Sequence, residues 1–391
     1  MKTSFSAIWT ALLLAGAANV CAGTIPELLD RAAALEAAAG VDSGGYPDAE
    51  EVLVAGIQKI AYEADGTYVQ WHEEYVKILT EESRRSHLTL SSFFTIPYQR
   101  GPEDCQIALV EIIRPDGTVI PVDVEAESRV MVNPSSMEDN IYNPNDQLIQ
   151  VNISDLQIGG VLHYVLFDRI VKPRVENTWS DWLVFEGLRP MLKQVVEISG
   201  PARMPLQSIA HKSEIPGTVV FEERTEGDRM IWRWEARDVP RMFPEPGMPA
   251  PHTVIQRVLV STIPDWETIS RWYWKISEPH FKAGPSLEEK VRELTDALTT
   301  PADRTWSLFK FVSQEVRYMG ITKEAESPGY EPHDVMDTFE ARHGVCRDKA
   351  ALLVAMLRLA GLDAYPALIH NGPKLDSEVP QPFFNHAVVA V

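Results

Sequence analysis

The sequence predicts a multi-domain protein in which an N-terminal all-β, antiparallel sandwich-like domain precedes an α+β domain. Two observations predict this order. Short alternating strands with turns between them fill residues 46–262, and helical patterns followed by strand patterns fill residues 263–391. At 391 residues the chain is long enough for two or three domains. Its composition, 45% hydrophobic and 24% charged, is that of an ordinary soluble globular protein.

Residues 1–22 are predicted to be an export signal and not part of the fold. Lys2 forms a short basic region, residues 8–18 are apolar, and residues 20–22 (Val-Cys-Ala) form a small-residue cleavage site. The apolar stretch has about half of the roughly 20 residues that cross a bilayer, which disfavours a membrane anchor. Lipidation at Cys21 is also disfavoured, because the residues before it match a lipidation site poorly. We therefore expect an exported protein, periplasmic or extracellular.

The charge balance disfavours two classes of partner. The full chain has 36 basic and 56 acidic side chains and a net charge of −20. Removing residues 1–22 removes one basic side chain, Lys2, which leaves 35 against 56 and a net charge of −21. Nucleic acid and anionic lipid surfaces are therefore not expected partners.

Cysteine usage indicates a functional thiol. Without residues 1–22 only Cys105 and Cys346 remain, too few for a disulfide-based framework. Cys105 lies in a polar segment, residues 101–105, and is interpreted as incidental. A Cys105–Cys346 disulfide stays open as an alternative, and it would silence the thiol of Cys346.

The N-terminal half reads as strands after a short helix. Residues 23–45 contain an Ala-rich segment, predicted as an amphipathic helix over residues 25–39, and a turn-rich linker. In the β-rich domain of residues 46–262, Asp-Gly turns separate alternating strands at residues 62–68 and 113–119. A third hairpin is predicted at residues 219–234.

From Pro264 the hydrophobic period becomes helical. Residues 286–289 (Ser-Leu-Glu-Glu) are interpreted as a capping box that begins a second helix. Thr300 and Pro301 are predicted to begin a third helix. The helical period places Trp306, Phe309, Val312 and Val316 on one face of this helix. The tryptophans of this region are expected in the core and not in a ligand cage; they are Trp266, Trp272, Trp274 and Trp306.

Cys346 and His386 are the candidate catalytic residues. Cys346 begins a segment that is apolar on nearly every side and stops at Gly361, which predicts a buried helix. His386 follows 40 residues later in a predicted strand, residues 383–391. A helix N-terminus lowers the pKa of a thiol, and an imidazole removes its proton. The alternative is that Cys346 is an inert buried thiol.

Several blocks around these residues resemble the bacterial exported transglutaminase-like superfamily. They are residues 317–321 (Arg-Tyr-Met-Gly-Ile), residues 329–333 (Gly-Tyr-Glu-Pro-His) and residues 344–366, which begin Gly-Val-Cys-Arg-Asp-Lys-Ala. The resemblance spans residues 265–391 and implies a papain-like fold with a Cys-His-Asp triad, in which Cys346 is the nucleophile and His386 the base.

The chain departs from the family pattern at two places. Val345 stands where many relatives have an acidic residue. In the family, the Asp lies on the strand after the histidine strand, and the sequence ends at Val391, before any such strand. The resemblance therefore implies that the core is truncated here and that the natural chain continues to an Asp.

The β-rich region has a resemblance of its own. Residues 46–215 resemble an N-terminal domain of unknown function that precedes exported transglutaminase-like cores. The resemblance is carried by residues 76–82, 114–118 and 157–164. It implies an architecture and no chemistry.

Other sites are not expected. A zinc site from His333, His343, Cys346 and His370 lacks a closely spaced chelating pair, so neither a metal nor another cofactor is predicted. Asp348 is interpreted as structural, since an acid in the first turn complements the helix dipole and caps the helix.

The expected function is that of an exported cysteine acyl-transfer enzyme. The thiolate attacks a peptide or carboxamide carbonyl, and hydrolysis is slightly favoured over cross-linking. The substrate is then a peptide or protein, with the cell envelope as one source. The alternative is a non-enzymatic cell-envelope binding or scaffold protein with a degenerate core. The substrate, the role of the β-rich domain and the oligomeric state stay open.

Overall fold

The computed structural model describes residues 25–372 and 374–391, and it divides the chain into two units. The N-terminal unit contains residues 25–131 and Gln147–Thr262. The C-terminal unit contains Val132–Asp146 and Ile263–Val391. The predicted export signal lies outside the described residues.

Strands are found in both units. In chain order they are β1 Glu51–Tyr62, β2 Tyr68–Ile78, β3 Thr89–Thr95, β4 Cys105–Ile113, β5 Val119–Pro121, β6 Ser128–Val132, β7 Ile141–Tyr142, β8 Asp146–Asn152, β9 Val161–Ile170, β10 Ser180–Val184, β11 Met191–Pro201, β12 Ser208–Lys212, β13 Val219–Glu226, β14 Arg229–Val239, β15 Arg257–Ser261, β16 Arg317–Tyr318, β17 Gly320–Ile321, β18 His343–Gly344, β19 Tyr365–Ile369 and β20 His386–Ala390.

The longer helices belong mainly to the C-terminal unit. In chain order the helices are α1 Arg31–Ala39, α2 Glu81–Ser86, α3 Val124–Glu127, α4 Pro251–Val254, α5 Trp266–Ser277, α6 Pro285–Thr295, α7 Pro301–Glu315, α8 Val335–Ala341 and α9 Cys346–Leu359.

The N-terminal unit is built on an eight-stranded sheet with the order β13-β14-β11-β1-β2-β9-β4-β5. Its neighbouring strands are antiparallel except for the parallel pair β1 and β11. Two three-stranded sheets, β10-β15-β12 and β3-β8-β6, supply further strands to its main core. Helix α1 packs through Ala34 and Ala38 in a second core cluster. The prediction of a β-rich N-terminal domain is confirmed.

Local turn chemistry explains why these strands form hairpins. Between β1 and β2, Asp65 Oδ1 accepts a hydrogen bond from the Thr67 backbone N–H at 3.0 Å, and Gly66 has a φ of +90°. The turn between β4 and β5 repeats this with Asp116 and Gly117. Glycine adopts a positive φ without the steric cost that a side chain brings, so the Asp-Gly signals in the sequence fix these turns.

The C-terminal unit is an α+β domain around helix α9. Leu352, Val354, Met356 and Leu357 are buried on several sides of this helix, as its composition predicts. Helices α6, α7 and α8 and the antiparallel pair β19-β20 pack against it. Among the described residues, no helix is both long and apolar enough to cross a membrane.

Three sequence expectations for local structure are wrong. Helix α6 begins at Pro285 with Gly284 as its N-cap, so residues 286–289 do not form a capping box. The predicted apolar face of α7 is wrong at Trp306 and Phe309, which are 59% and 45% exposed and stack on each other, whereas Val312 and Val316 are buried, together with Leu308. The other three tryptophans of this region are only partly buried, so they are not core residues.

Cys105 also differs from its predicted environment. It is the first residue of β4 and is fully buried, with Sγ 3.1 Å from Ser92 Oγ. Burial, together with the charge of Asp168, raises the pKa of this thiol to about 12. Cys105 and Cys346 are both free, so the alternative disulfide between them is not formed.

Candidate active site

The candidate nucleophile lies at the first turn of the central helix. Cys346 is the first residue of α9, with Val345 as its N-cap in an extended conformation, and its side chain is half-buried. Helix N-termini have backbone N–H groups without intrahelical partners, which are available to bind an anion at this position. The predicted position of Cys346 at a helix start is confirmed.

Asp348 fixes this helix end. Its side chain is almost completely buried, and Oδ2 accepts a hydrogen bond from the Val345 backbone N–H at 3.0 Å. Oδ1 accepts two more at 3.0 Å, from the backbone N–H and from Nδ1 of His333. The structural role predicted for Asp348 as a cap is therefore confirmed, and its partner His333 is an addition that only the tertiary structure supplies.

The groups around Asp348 form a network of hydrogen bonds between charged side chains. His333 Nε2 lies 3.0 Å from Glu324 Oε1, so the imidazole bridges two carboxylates. The hydrogen bond to Asp348 raises the pKa of His333 against the opposing effect of burial. Burial raises the pKa of Asp348, but the hydrogen bond from His333 and the charge of Arg347 outweigh it, and the pKa lies below its usual value.

Tyr318 is a candidate site residue that sequence reasoning did not assign. Strand β16 pairs in parallel with β18 so that Tyr318 lies opposite Gly344, two residues before the nucleophile. Its hydroxyl interacts with the side chain and the backbone of Cys346; burial first, and then the thiol charge, raise the pKa of Tyr318 to about 12. Tyr318 lies in residues 317–321, a block that resembles the family, but the sequence spacing alone did not predict that its hydroxyl contacts Cys346. A hydroxyl beside a helix-start N–H is suited to bind an oxyanion.

His386 begins strand β20, directly after a loop that is tied at both ends. Asn385 Oδ1 accepts from the Asn371 N–H at 2.6 Å, and Asn385 Nδ2 donates to the Asn371 carbonyl at 2.9 Å. Strand β20 pairs with β19 at Ile369 and packs against α9. The hairpin therefore holds His386 on the same helix that presents Cys346.

Tyr330 fixes the chain just before His386. Its hydroxyl lies 2.7 Å from the Phe384 carbonyl oxygen and 3.0 Å from that of Pro382, and it accepts a hydrogen bond from the Phe384 N–H at 3.0 Å. The Tyr330 ring contacts Trp272 edge-on, with ring centroids 5.8 Å apart. Phe384 contacts both Tyr330 and Trp266, so these aromatic rings form one cluster next to the histidine strand.

The described residues do not include a formed triad. No hydrogen bond joins the Cys346 thiol to the His386 ring, and no described carboxylate is hydrogen-bonded to that ring. His333, one of the residues considered for zinc, is hydrogen-bonded to the carboxylates of Asp348 and Glu324. Within the described ranges no group of three or more His, Cys, Asp or Glu side chains is arranged to hold a metal ion.

Comparison with known families agrees with this geometry. Residues 288–388 match the Transglutaminase-like superfamily, and residues 64–243 match the Domain of Unknown Function DUF3857. The chain therefore carries a transglutaminase-like core preceded by a DUF3857 domain. No curated protein matches the chain.

One solved structure shares the fold over most of the chain. It is a provisionally named protease from Parabacteroides distasonis, with a TM-score of 0.70 and 16% sequence identity. The match covers 87% of this chain and 65% of the other, so this chain spans just under two thirds of that protein's length. At this identity the likeness establishes the fold alone.

Two further matches are too distant to carry an argument. A provisionally named cysteine protease from Cytophaga hutchinsonii has a TM-score of 0.22 and 14% identity, covering 54% of this chain and 66% of the other. The M1 zinc metallopeptidase from Deinococcus radiodurans has a TM-score of 0.28 and 9% identity, covering 79% of this chain and 63% of the other.

Proposed function

We propose that this protein is a cysteine acyl-transfer enzyme whose nucleophile is Cys346. The observation that carries the proposal is the position of the thiol. It is accessible at the first residue of a buried helix, the helix end is locked by Asp348, and a hairpin that begins with His386 packs on the same helix. A thiol kept only for packing has no need of this arrangement.

The chemistry follows from these groups. His386 accepts the thiol proton, and the Cys346 sulfur adds to a peptide or carboxamide carbonyl carbon. The Cys346 backbone N–H, with the Tyr318 hydroxyl beside it, stabilises the oxyanion. When the C–N bond breaks, the imidazolium returns the proton to the leaving amine and a thioester remains.

The second half-reaction decides the product. Water attacks the thioester carbonyl in hydrolysis, and a primary amine attacks it in cross-linking, while His386 accepts the proton of the nucleophile in either case. The thiolate then leaves and regenerates the enzyme. We favour hydrolysis, because the half-buried thiol is open to water.

Thiol alkylation tests the proposal directly. With iodoacetamide at about pH 6, Cys346 should react at least ~100-fold faster than Cys105, because burial raises the pKa of Cys105 to about 12. His386→Ala should slow Cys346, whereas His211→Ala, at an exposed histidine of the N-terminal unit, should not.

Turnover completes this test. Peptide mixtures with and without an added primary amine should show cleavage or amine incorporation by mass spectrometry. Cys346→Ala should lower turnover by about 10⁶-fold, the scale known from removal of a serine nucleophile, and Cys105→Ala should leave it unchanged. Equal alkylation of both cysteines, with no effect of His386→Ala, would contradict an enzyme and support the scaffold alternative.

A further inference from the structure

One segment changes unit in the middle of the N-terminal sequence. Val132–Asp146, here called the strap, runs from the last residue of β6 to the first residue of β8 and belongs to the C-terminal unit. Strand β7 within the strap pairs in parallel with β17, so that Ile141 lies opposite Gly320 and Tyr142 opposite Ile321. The strap therefore contributes an integral strand to the unit that contains Cys346.

Backbone hydrogen bonds extend this pairing on both sides. The Gly320 N–H donates to the Asn140 carbonyl at 3.0 Å, and the Thr322 N–H donates to the Tyr142 carbonyl at 3.0 Å. Asn140 has a φ of +59°, a conformation that asparagine adopts more readily than most residues. The strap thus fixes the backbone that continues from Tyr318 toward Glu324.

Two asparagine side chains of the strap then hold the loop that carries Glu324. Asn145 Nδ2 donates to the Glu324 carbonyl at 3.1 Å, and Asn143 Nδ2 donates to Ser327 Oγ at 2.8 Å. Asn143 Oδ1 also accepts from the Asn145 N–H at 3.1 Å, so the two asparagines support each other. Both ends of this loop are therefore set by the strap.

The strap reaches the nucleophile helix by two routes. The polar route runs from Glu324 through His333 to Asp348, which accepts the N–H of the N-cap Val345. The apolar route runs through Gly320, where an added Cβ would lie only 2.7 Å from Val345 Cγ1 and 3.5 Å from Ile141 Cγ2. Val345 is thus packed against the glycine that the strap pairs with.

We propose that the strap supports the active site by holding the loop that carries Glu324. Glu324 and His333 are then positioning residues that fix the end of the helix where Cys346 lies. The inference rests on the proposed function for the role of Cys346, but its test reads the thiol and needs no turnover. The proposal also assigns a role to part of the DUF3857 region, because the strap lies within the residues that match that family.

The charges that act on His333 define its behaviour with pH. They are the carboxylates of Asp348 and Glu324, which favour the imidazolium, and the guanidinium of Arg347, which opposes it. When His333 loses its proton, the attraction to both carboxylates weakens. The end of α9 then loses part of its support, and the reactivity of the thiol should change in the same pH range.

The experiment measures the second-order rate of Cys346 alkylation by iodoacetamide in the full chain between about pH 5 and 9. Asn145→Asp removes the hydrogen bond to the Glu324 carbonyl and places a carboxylate in the donor's position, and His333→Ala removes the bridge between Glu324 and Asp348. Each should lower the rate at neutral pH by about tenfold, the scale of one lost intramolecular hydrogen bond. His333→Asn keeps a donor near Asp348, so it should be partly rescued but should lose the inflection that His333 gives to the pH profile.

The matched control is Asn152→Ala, at an exposed asparagine at the end of β8, which should keep the wild-type rate and profile. Circular dichroism of each variant separates misfolding from mispositioning; if Asn145→Asp misfolds, the two His333 variants decide. Folded variants with wild-type rates and profiles would overturn the inference. If the variants slow alkylation but the wild-type protein turns over none of the substrates tested, the positioning role of the strap is supported and the proposed enzymatic function is contradicted.

Discussion

Each unit contains a histidine held between two carboxylates, and the two arrangements have different consequences. In the N-terminal unit, His163 lies 2.9 Å from Glu73 and 2.8 Å from Glu111, inside the sheet formed by β2, β9 and β4. Glu73 also accepts the N–H groups of Leu28 and Leu29 at 3.2 and 3.1 Å. This network ties the chain that leads into α1 onto the sheet.

In the C-terminal unit, Asp348 performs the same bonding for His333 and two backbone N–H groups. One of those N–H groups belongs to Val345, the neighbour of Cys346, so the network ends at the candidate nucleophile. A buried carboxylate–histidine pair thus occurs both next to the candidate nucleophile and in the unit without one. What matters is the backbone group that the carboxylate holds.

Removing the two carboxylates should give similar stability losses and different effects on the thiol. Asp348→Ala and Glu73→Ala should each lower the free energy of unfolding by about 3 kcal/mol, because each leaves two backbone N–H groups without an acceptor and takes from a histidine one of its two carboxylates. Only Asp348→Ala should also slow alkylation of Cys346. Denaturant unfolding and alkylation rates check this. Slowed alkylation in folded Glu73→Ala would erase the distinction.

Two buried or half-buried tyrosine hydroxyls allow a second comparison. Tyr330→Phe removes the contacts to Pro382 and Phe384 and should lower kcat about tenfold, because the chain before His386 loses its anchor. Tyr62→Phe removes a 2.8 Å hydrogen bond to the Met204 carbonyl and should cost about 1 kcal/mol of stability without changing kcat. Equal kcat for both variants would show that Tyr330 only supports the fold.

The smallest expected effect is a difference in how the units respond to pH. His333 has a raised pKa, so its contribution to stability is complete below its unfolded value of about 6.5 and is lost as the pH rises through the raised pKa. Glu51 of the N-terminal unit behaves in the opposite way. Burial raises its pKa, but His87 and Arg189 outweigh burial and lower it to about 2.

The contribution of Glu51 is therefore present above its unfolded value of about 4.3 and is lost as the pH falls through about 2. Hydrogen exchange followed separately in each unit measures both effects. His333→Asn should flatten the alkaline side of the C-terminal profile, and Glu51→Gln the acid side of the N-terminal one. Profiles unchanged by both variants would show that neither pair contributes measurably.

The sequence determined the features that depend on local chemistry. Asp-Gly turns produced the hairpins, and Thr300 with Pro301 produced the start of α7, where the Thr300 hydroxyl accepts the Asp303 N–H at 3.1 Å. The apolar residues of α9 predicted a buried helix with Cys346 at its first position. In each case neighbours within a few residues supply the deciding interaction, so the pattern is visible without the fold.

Only the tertiary structure decided where the strap goes, which hydroxyl lies beside the thiol and which face of α7 is buried. The hydrogen bond from Asn145 to Glu324 joins residues 179 positions apart. The parallel pairing of β7 with β17 has just two residues on each strand and no turn to announce it. Such contacts leave no local pattern in the chain, because their energy is gained only after both segments have been brought together by the packing of the rest of the domain.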